Sequence, residues 1–525
     1  MANRIYRRTG KRRVGRSVMD LSYSKLFDAD MGLLYPIMND EAVPGDVFKI
    51  QNEIVLRFNP LLAPLLHEIN VYIHYFFVPY RILWDEWETF ITKGVDGDQV
   101  RDIPVYPAHS WSSSEHSYGF NTLYHYFFGS IASLSGTQPQ HAPNAWPLYA
   151  YNMIWNEYYR DRNVMQEIAL NDPSKGQYGL LRRCWEKDYF TSALPWQQRG
   201  TAPALPISGS INVDASDAVY SLSPPPTGTN SANVLIQNTY TPVPPAVGPT
   251  LTSESSTYTN MLRTALNKQK INLSSASTFD VSDLRLAFQI QRWMELNARA
   301  GNRYTEFLRA HFPASPRDDR LQRPEYIGGS KSPVVISEVL QTSENSTTPQ
   351  GNMAGHGLSV DRTRVTTYRV QEFGIIMGLL SVMPRASYSG ILDRQWLRRT
   401  PFDFYFPEFQ HLSEQAITRQ EISPRYNLTE TGANTIFGYQ GRYNEMRSKH
   451  SMICGKMSTD FQHWHLARDF ISQSAPVLSQ QFLECNPRKN IFAVPSEPGM
   501  IINVSNRIRA IRPMTAIPVP GLIDH

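Results

Sequence analysis

At 525 residues, 41% hydrophobic and 12% aromatic with only 19% charged, the chain has ample material for a large core and is excluded from the disordered class. Its 37 prolines imply many turns and long ordered connections, because proline is barred from helix interiors and central strands; a loop-rich β protein is the expectation. The formal charge of +4 is small but unevenly placed.

Residues 1 to 16, MANRIYRRTGKRRVGR, hold Arg4, Arg7, Arg8, Lys11, Arg12, Arg13 and Arg16 and no acid. Taking these seven from 51 Lys+Arg leaves 44 against 47 Asp+Glu, so +4 becomes −3 for the remainder. Such density without apolar periodicity cannot bury itself, and it suits a polyanion whose condensed counterions are released on binding. Tyr6 is placed to stack on an unpaired base. The plain alternative is a solvated tail that aids solubility, and the charge asymmetry favours nucleic acid over it. The arm runs into Ser, Asp and Tyr rather than an apolar signal core. The longest apolar stretch, Gly374 to Met383, is far shorter than the about 20 residues of a membrane-spanning helix. Cys184, Cys454 and Cys485 are too few and too scattered for a disulfide framework or a Cys-x-x-Cys zinc site, so synthesis in a reducing cytoplasm is expected.

Pro44 to Trp87 is the first strong sheet signal. Ile69, Val71, Ile73, Tyr75 and Phe77 alternate with Asn70, Tyr72, His74 and Phe76, the period of a packed strand. Val47 to Phe58 alternates less cleanly but is rich in β-branched and aromatic residues, and the two runs are read as neighbouring strands. Trp84 to Phe90 forms a short amphipathic piece whose Asp85, Glu86 and Glu88 have no histidine constellation near them; a solvated face is expected. Residues 104 to 147 read as loops with a short helix around Leu123 to Leu134, and Ala150 to Asn163 as a helix packed on the sheet.

Gly200 to Leu262 lacks Lys and Arg and is dominated by Pro, Ser, Thr and Asn, as expected of an inserted surface region. The strongest helix prediction is 281 to 299, capped by Asp280, with Leu286, Ile290, Trp293 and Leu296 down one face. Gly328, Gly329, Ser330 and Lys331 resemble a phosphate loop only superficially, because the Walker spacing is absent. Gly351 to Gly357 reads as a flexible connection. Thr366 to Pro384 is a second sheet signal, apolar on both faces between Phe373 and Met383 and so a central strand. The aromatic cluster Phe402 to Phe409 is expected in the core, beneath a loop, with an interface as the alternative. His463 and His465 sit in a stretch that reads as helical, where two residues apart places them on different faces, unlike the i, i+4 pair of a zinc helix; a structural role is expected. Residues 488 to 525 supply a last strand and an extended segment. No nucleophile, paired-carboxylate or nucleotide motif points to catalysis, and neither a cofactor nor a metal is expected.

Several long blocks, in this order, resemble the major capsid protein of small single-stranded DNA bacteriophages, the microvirus family, in particular its gokushovirus-like branch. They are PGDVFKI, HEINVYIHYFFVPYRILWDEWETFITKG, AYNMIWNEYYRD, DYFTSALPWQ, RLQRPEYIGGSKSPVVISEVLQTS, GIIMGLLSVMPRASY and FGYQGRY. The resemblance implies a mainly β fold, an eight-stranded antiparallel viral jelly roll with long loop and helical insertions, working in the virion capsid. It implies a 60-copy T=1 icosahedral shell around a circular single-stranded DNA genome, with a small basic internal protein, a minor pilot protein and a host cell-surface receptor as further partners. The expected organisation is a basic N-terminal arm, 1-20, and a single jelly-roll capsid domain, 21-525, with a surface insertion at about 200-280 that raises a protrusion. A cellular single-stranded nucleic-acid-binding protein is the alternative function, and a jelly-roll carbohydrate-active enzyme a third, which would need a carboxylate pair converging in a cleft.

Overall fold

Alternation along three long strands builds the core. The computed structural model describes residues 15–95, 98–106, 122–129, 143–170, 179–203, 281–300, 303–312, 317–340, 353–412, 414–423, 435–470 and 476–517. Its strands run β1 (Ser17–Asp20), β2 (Tyr23–Ala29), β3 (Tyr35–Ala42), β4 (Val47–Phe58), β5 (Ile69–Pro79), β6 (Glu325–Pro333), β7 (Val335–Leu340), β8 (Met353–Arg362), β9 (Thr366–Arg369) and β10 (Gly374–Pro384). Short strands β11 (Ser387–Ser389), β12 (Gln415–Thr418), β13 (Ile436–Gln440), β14 (Ser451–Ile453) and β15 (Arg468–Asp469) precede the long β16 (Met500–Arg512). In β4, Phe48, Ile50, Asn52, Ile54, Leu56 and Phe58 are buried while Lys49, Val55 and Arg57 are exposed. The inward Asn52 and the outward Val55 are what blur that strand's pattern in the sequence. Met500, Ile502, Val504, Asn506, Ile508 and Ala510 of β16 are buried in the same way.

Pairing then fixes the topology. One sheet has the order β2–β16–β4–β8, with β1 also on β16, β9 also on β4 and β7 on the far edge of β8; the other has the order β3–β10–β5–β6. Every ladder in these two sheets is antiparallel. Counting β2, β3, β4, β5, β6, β8, β10 and β16 as first to eighth, the orders are first–eighth–third–sixth and second–seventh–fourth–fifth, which is the jelly roll. Residues 80–324 are inserted between β5 and β6, and 385–499 between β10 and β16.

The sheets face each other across one apolar cluster that includes Phe48, Ile54 and Leu56 of β4, Ile73, Tyr75 and Phe77 of β5, Ile376 and Leu380 of β10, and Val504 and Ile508 of β16. A hydrogen-bonded set lies within it. Tyr75 Oη donates to Asn52 Oδ1 (2.6 Å), the Asn52 amide donates to Asn506 Oδ1, Asn506 Nδ2 donates to the Ile37 carbonyl (3.0 Å), and Thr363 Oγ1 accepts from the Asn52 N–H (2.8 Å). Low dielectric strengthens such a set and penalises any member left unpaired, so it ties both sheets into one register.

The outer face of the second sheet is covered by the first insertion. Helices α1 (Tyr80–Leu83), α2 (Trp87–Thr92), α3 (Leu123–Phe128) and α4 (Trp146–Ile154) bring Tyr80, Trp146, Tyr151 and Ile154 onto Phe76, Val78, Met377 and Leu379. This burial on both faces explains why β5 and β10 read as apolar almost throughout. The last turn of α4 continues as a π-helix, Trp155–Tyr159.

Several expectations are corrected. The β4 and β5 strands face one another from different sheets; β5 pairs with β10, in the register Tyr75↔Gly378, and β4 with β16. The segment read as a flexible connection enters β8: a Cβ on Gly355 would stand 2.6 Å from the Ala63 carbonyl oxygen, so its glycine serves close approach. The stretch around His463 is a 3-10 turn, Gln462–Trp464, followed by extended chain rather than a helix. Of Phe402 to Phe409, expected in the core, Phe402 to Glu408 are exposed and Phe409 is half-buried. Thr366 to Pro384 is broken into β9 and β10.

Contacts divide the chain into two compact units, 1–199 with 295–525, and 200–294. Of the second, the described part is 200–203 and the start of the helix Val281–Ala300, on which Leu286, Phe288 and Ile290 are exposed. Asp280 and the bulk of the 200-280 insertion lie outside the described residues.

Candidate nucleic-acid interface

Of the seven cations of the basic arm, Arg4, Arg7, Arg8, Lys11, Arg12 and Arg13 lie outside the described residues. Arg16 is described and exposed. It stands immediately before β1, which pairs with the C-terminal end of β16 in the register Ser17↔Arg512, so the arm is rooted at one corner of the β2–β16–β4–β8 sheet. Residues 17 to 20 are therefore sheet rather than arm. Arg512 itself is held by buried Asp46 at 3.4 Å and donates to the Glu41 carbonyl at 2.8 Å.

The outward positions beside this root form rows set by register. One row reads Asp20, Arg509, Lys49, Thr367; another places Glu53 between Ser505 and Arg362. Glu53 binds both Arg362 (3.2 Å) and Arg507 (3.0 Å). Among the described residues, Arg16, Lys49, Arg57, Arg369 and Arg509 make no ion pair. The Asp20 carboxyl is held below the usual range by the Ser22 hydroxyl and N–H, with Arg509 adding a smaller effect. This sheet face therefore has a cationic surplus without a competing acid cluster, which suits phosphate contacts that position a strand without reading its bases. Sequence reasoning pointed to the arm and not to this face. The usable signal was the alternation in Arg507-Ile508-Arg509 and Lys49-Ile50-Gln51, whose polar members share the solvent side.

The other candidates do not converge on chemistry. Glu88 is exposed on α2, and Glu86 pairs with Arg101 at 3.5 Å. His465 is buried and doubly bonded, Nε2 to the Met457 carbonyl (2.7 Å) and Nδ1 accepting from the Ala467 N–H (3.1 Å), which fixes the ring in a structural role. Gly328 to Lys331 lie inside β6, not in a phosphate loop. Two buried carboxylates of the second insertion, Glu421 and Glu445, are engaged by Arg394 and Arg398, each at 3.0 Å. Burial raises the Glu421 pKa, Arg394 opposes that, and Tyr189 Oη donates to it at 3.0 Å. A cavity of about 950 Å³ is lined by His74, Tyr159, Arg160, Arg183 and Arg303. Burial, with Arg183 close by, lowers the His74 pKa to about 4, and its Nδ1 bonds Tyr159 Oη at 2.7 Å, so this is a packed polar site rather than an acid-base pair. Among the described residues no group of His, Cys, Asp and Glu could hold a metal ion, and no helix is long and apolar enough to cross a membrane.

The jelly roll with its two long insertions can be set beside known proteins. The chain is 33% identical to capsid protein VP1 of Chlamydia phage 1 over 97% of this chain and 96% of that protein. It is 31% identical to capsid protein VP1 of Bdellovibrio phage phiMH2K over 93% and 92% of the two chains. With capsid protein VP1 of Spiroplasma virus 4 the identity is 27% over 97% and 96%. These matches place the protein in the virion as a structural component, setting aside both the cellular nucleic-acid-binding reading and the enzyme reading. The model of the family described as capsid protein (F protein) matches residues 9–522, and the chain belongs to that family.

Proposed function

We propose that about sixty copies of this capsid protein close into a T=1 icosahedral shell around circular single-stranded DNA, with the arm on the inside. The rooting of the arm supports its side of this reading: Arg16 leads into the same sheet whose outward positions carry Lys49, Arg369 and Arg509, so the arm's charge adds to the cationic surplus of that sheet. The seven arm cations neutralise phosphates without reading sequence, Tyr6 stacks on unpaired bases, and the sheet face extends the track. A small basic internal protein shares the interior, and a minor pilot protein accompanies the genome. With β1 part of the sheet, residues 17–525 act as one capsid domain whose 200-280 insertion meets a host cell-surface receptor; its lack of Lys and Arg up to Leu262 supports contact through hydrogen bonding rather than charge.

Electron microscopy of purified protein tests closure, with closed shells expected and only small oligomers refuting it. Deletion of residues 1–16 tests the arm. Each phosphate neutralised on a single strand contributes roughly 0.7 to the slope of log K against log salt, so loss of the arm should flatten it by roughly 5. A deletion variant that packages and binds DNA as the full chain does would refute the role of the arm.

A further inference from the structure

Within the second insertion, Pro401 to Glu408 is exposed at every residue, although it contains four aromatic side chains. Trp396 (73%), Phe402 (69%), Phe404 (52%), Tyr405 (43%) and Phe406 (42%) all show their rings to solvent. At about 200 Å² per ring, they expose roughly 550 Å², the top of the range a monomer tolerates, and about two-thirds of the ~800 Å² each partner contributes to a stable interface.

The segment is built to hold these rings out. The N–H groups of Arg399 and Thr400 donate to Asp403 Oδ2 at 3.0 and 2.8 Å, capping the turn Pro401–Asp403. Tyr443 Oη donates to the Phe404 carbonyl at 3.1 Å, and its ring meets that of Tyr405 edge-on at 5.0 Å. Beneath them the Arg398–Glu445 pair is almost fully buried and the Arg398 guanidinium lies 5.8 Å from the Phe404 ring centre. Fixed aromatic side chains beside arginine have the composition of an interface hot spot, and their ordering cost is met before any partner arrives.

We infer that this aromatic wedge is a contact surface for a second copy of the chain within the shell. The inference rests on the reading of the protein as one that closes into a shell. A nucleic-acid partner does not suit the wedge, because exposed Asp403 and Glu408 stand among its rings and Arg398 is engaged by Glu445, whereas the cationic surplus lies on the β2–β16–β4–β8 sheet face. A repeating partner of the same composition, neither strongly acidic nor basic, fits the wedge's balanced charge and its area.

Two measurements test it under conditions in which the wild type forms shells; if the wild type forms none, the shell reading fails first and separately. The variant W396S/F402D should keep the thermal midpoint of the unassembled protein and lose at least tenfold in shell yield by electron microscopy and sedimentation. Shells at wild-type yield overturn the inference, including the case in which the variant assembles but no longer adsorbs to host cells. In a C454S background, the thiol introduced by Phe402→Cys should react with a maleimide at least tenfold more slowly in assembled particles than in unassembled protein. Equal reactivity in both overturns the inference without relying on a destabilised variant.

Discussion

Replacing Asn52 by leucine tests the central claim about the fold, that a hydrogen-bonded set inside an apolar core fixes how the two sheets meet. Asn52, Tyr75 and Asn506 are each completely buried. The substitution keeps volume but leaves the Tyr75 hydroxyl and Asn506 Oδ1 without their partner. The Tyr75 hydroxyl keeps only its long contact to Thr363 Oγ1, at 3.4 Å a weak substitute for an ordinary O–H···O bond. Two buried orphans at about 1–3 kcal/mol each give an expected loss of about 2–6 kcal/mol. Tyr75→Phe alone orphans only Asn52 Oδ1 and should cost about 1–3 kcal/mol. Because the two substitutions share one bond, the double variant should be less destabilised than the sum, by about 1–3 kcal/mol. Urea unfolding of unassembled protein, followed by tryptophan fluorescence, measures all three. Asn52→Leu within about 0.5 kcal/mol of wild type, or strict additivity in the double variant, would refute the reasoning.

Gly32 has φ +82°, and a Cβ there would lie 2.0 Å from the Cys485 carbonyl oxygen, so Gly32→Ala should cost more than about 3 kcal/mol and abolish soluble expression, read by yield and thermal melting. Asp40 is pushed up to about 6 by burial, with Arg512 opposing. Its folded pKa thus exceeds the ordinary 3.8, so it favours folding at low pH and that contribution is lost as pH rises from about 4 through 6. Asp40→Asn should therefore gain up to about 2–3 kcal/mol over wild type across that window, and a difference independent of pH would sink the assignment. On the sheet face, Lys49→Ala with Arg369→Ala should flatten the salt slope of single-stranded DNA binding by roughly 1.4 while leaving the melting temperature unchanged. An unaltered slope would confine DNA contact to the arm.

The strands were legible where one side of the chain had to be apolar or both did. The alternation of Ile69 to Phe77 and the continuous apolar run of Gly374 to Met383 mark β5 and β10, and β5 and β10 are indeed partners although nearly 300 residues lie between them. Which sheet each strand joins was not legible, because pairing depends on residues brought together only after 80–324 and 385–499 have folded away. Hence the two runs of Pro44 to Trp87 read as neighbours when they face each other across the core. The strand β8 was missed for a different reason. Its glycines carry no pattern, and the demand for them comes from Ala63 and Phe58, far away in sequence.

The same limit separates what could be read of the two interfaces. A cationic arm announces itself because charge that has no neighbouring acid needs a counter-charge from elsewhere, whatever the fold. Aromatic content fixes only how much area wants burial, and not which molecule buries it, so Phe402 to Phe409 read as core until its exposure was known. The two proposed surfaces also differ in the force that would drive them, apolar burial for one and charge for the other. If copies met through the same cations that hold phosphates, salt or a competing strand would weaken the shell wherever it loosened the genome. On the proposed reading, apolar rings on one insertion and cations on one sheet corner would let subunit contact persist while DNA contact is tuned independently.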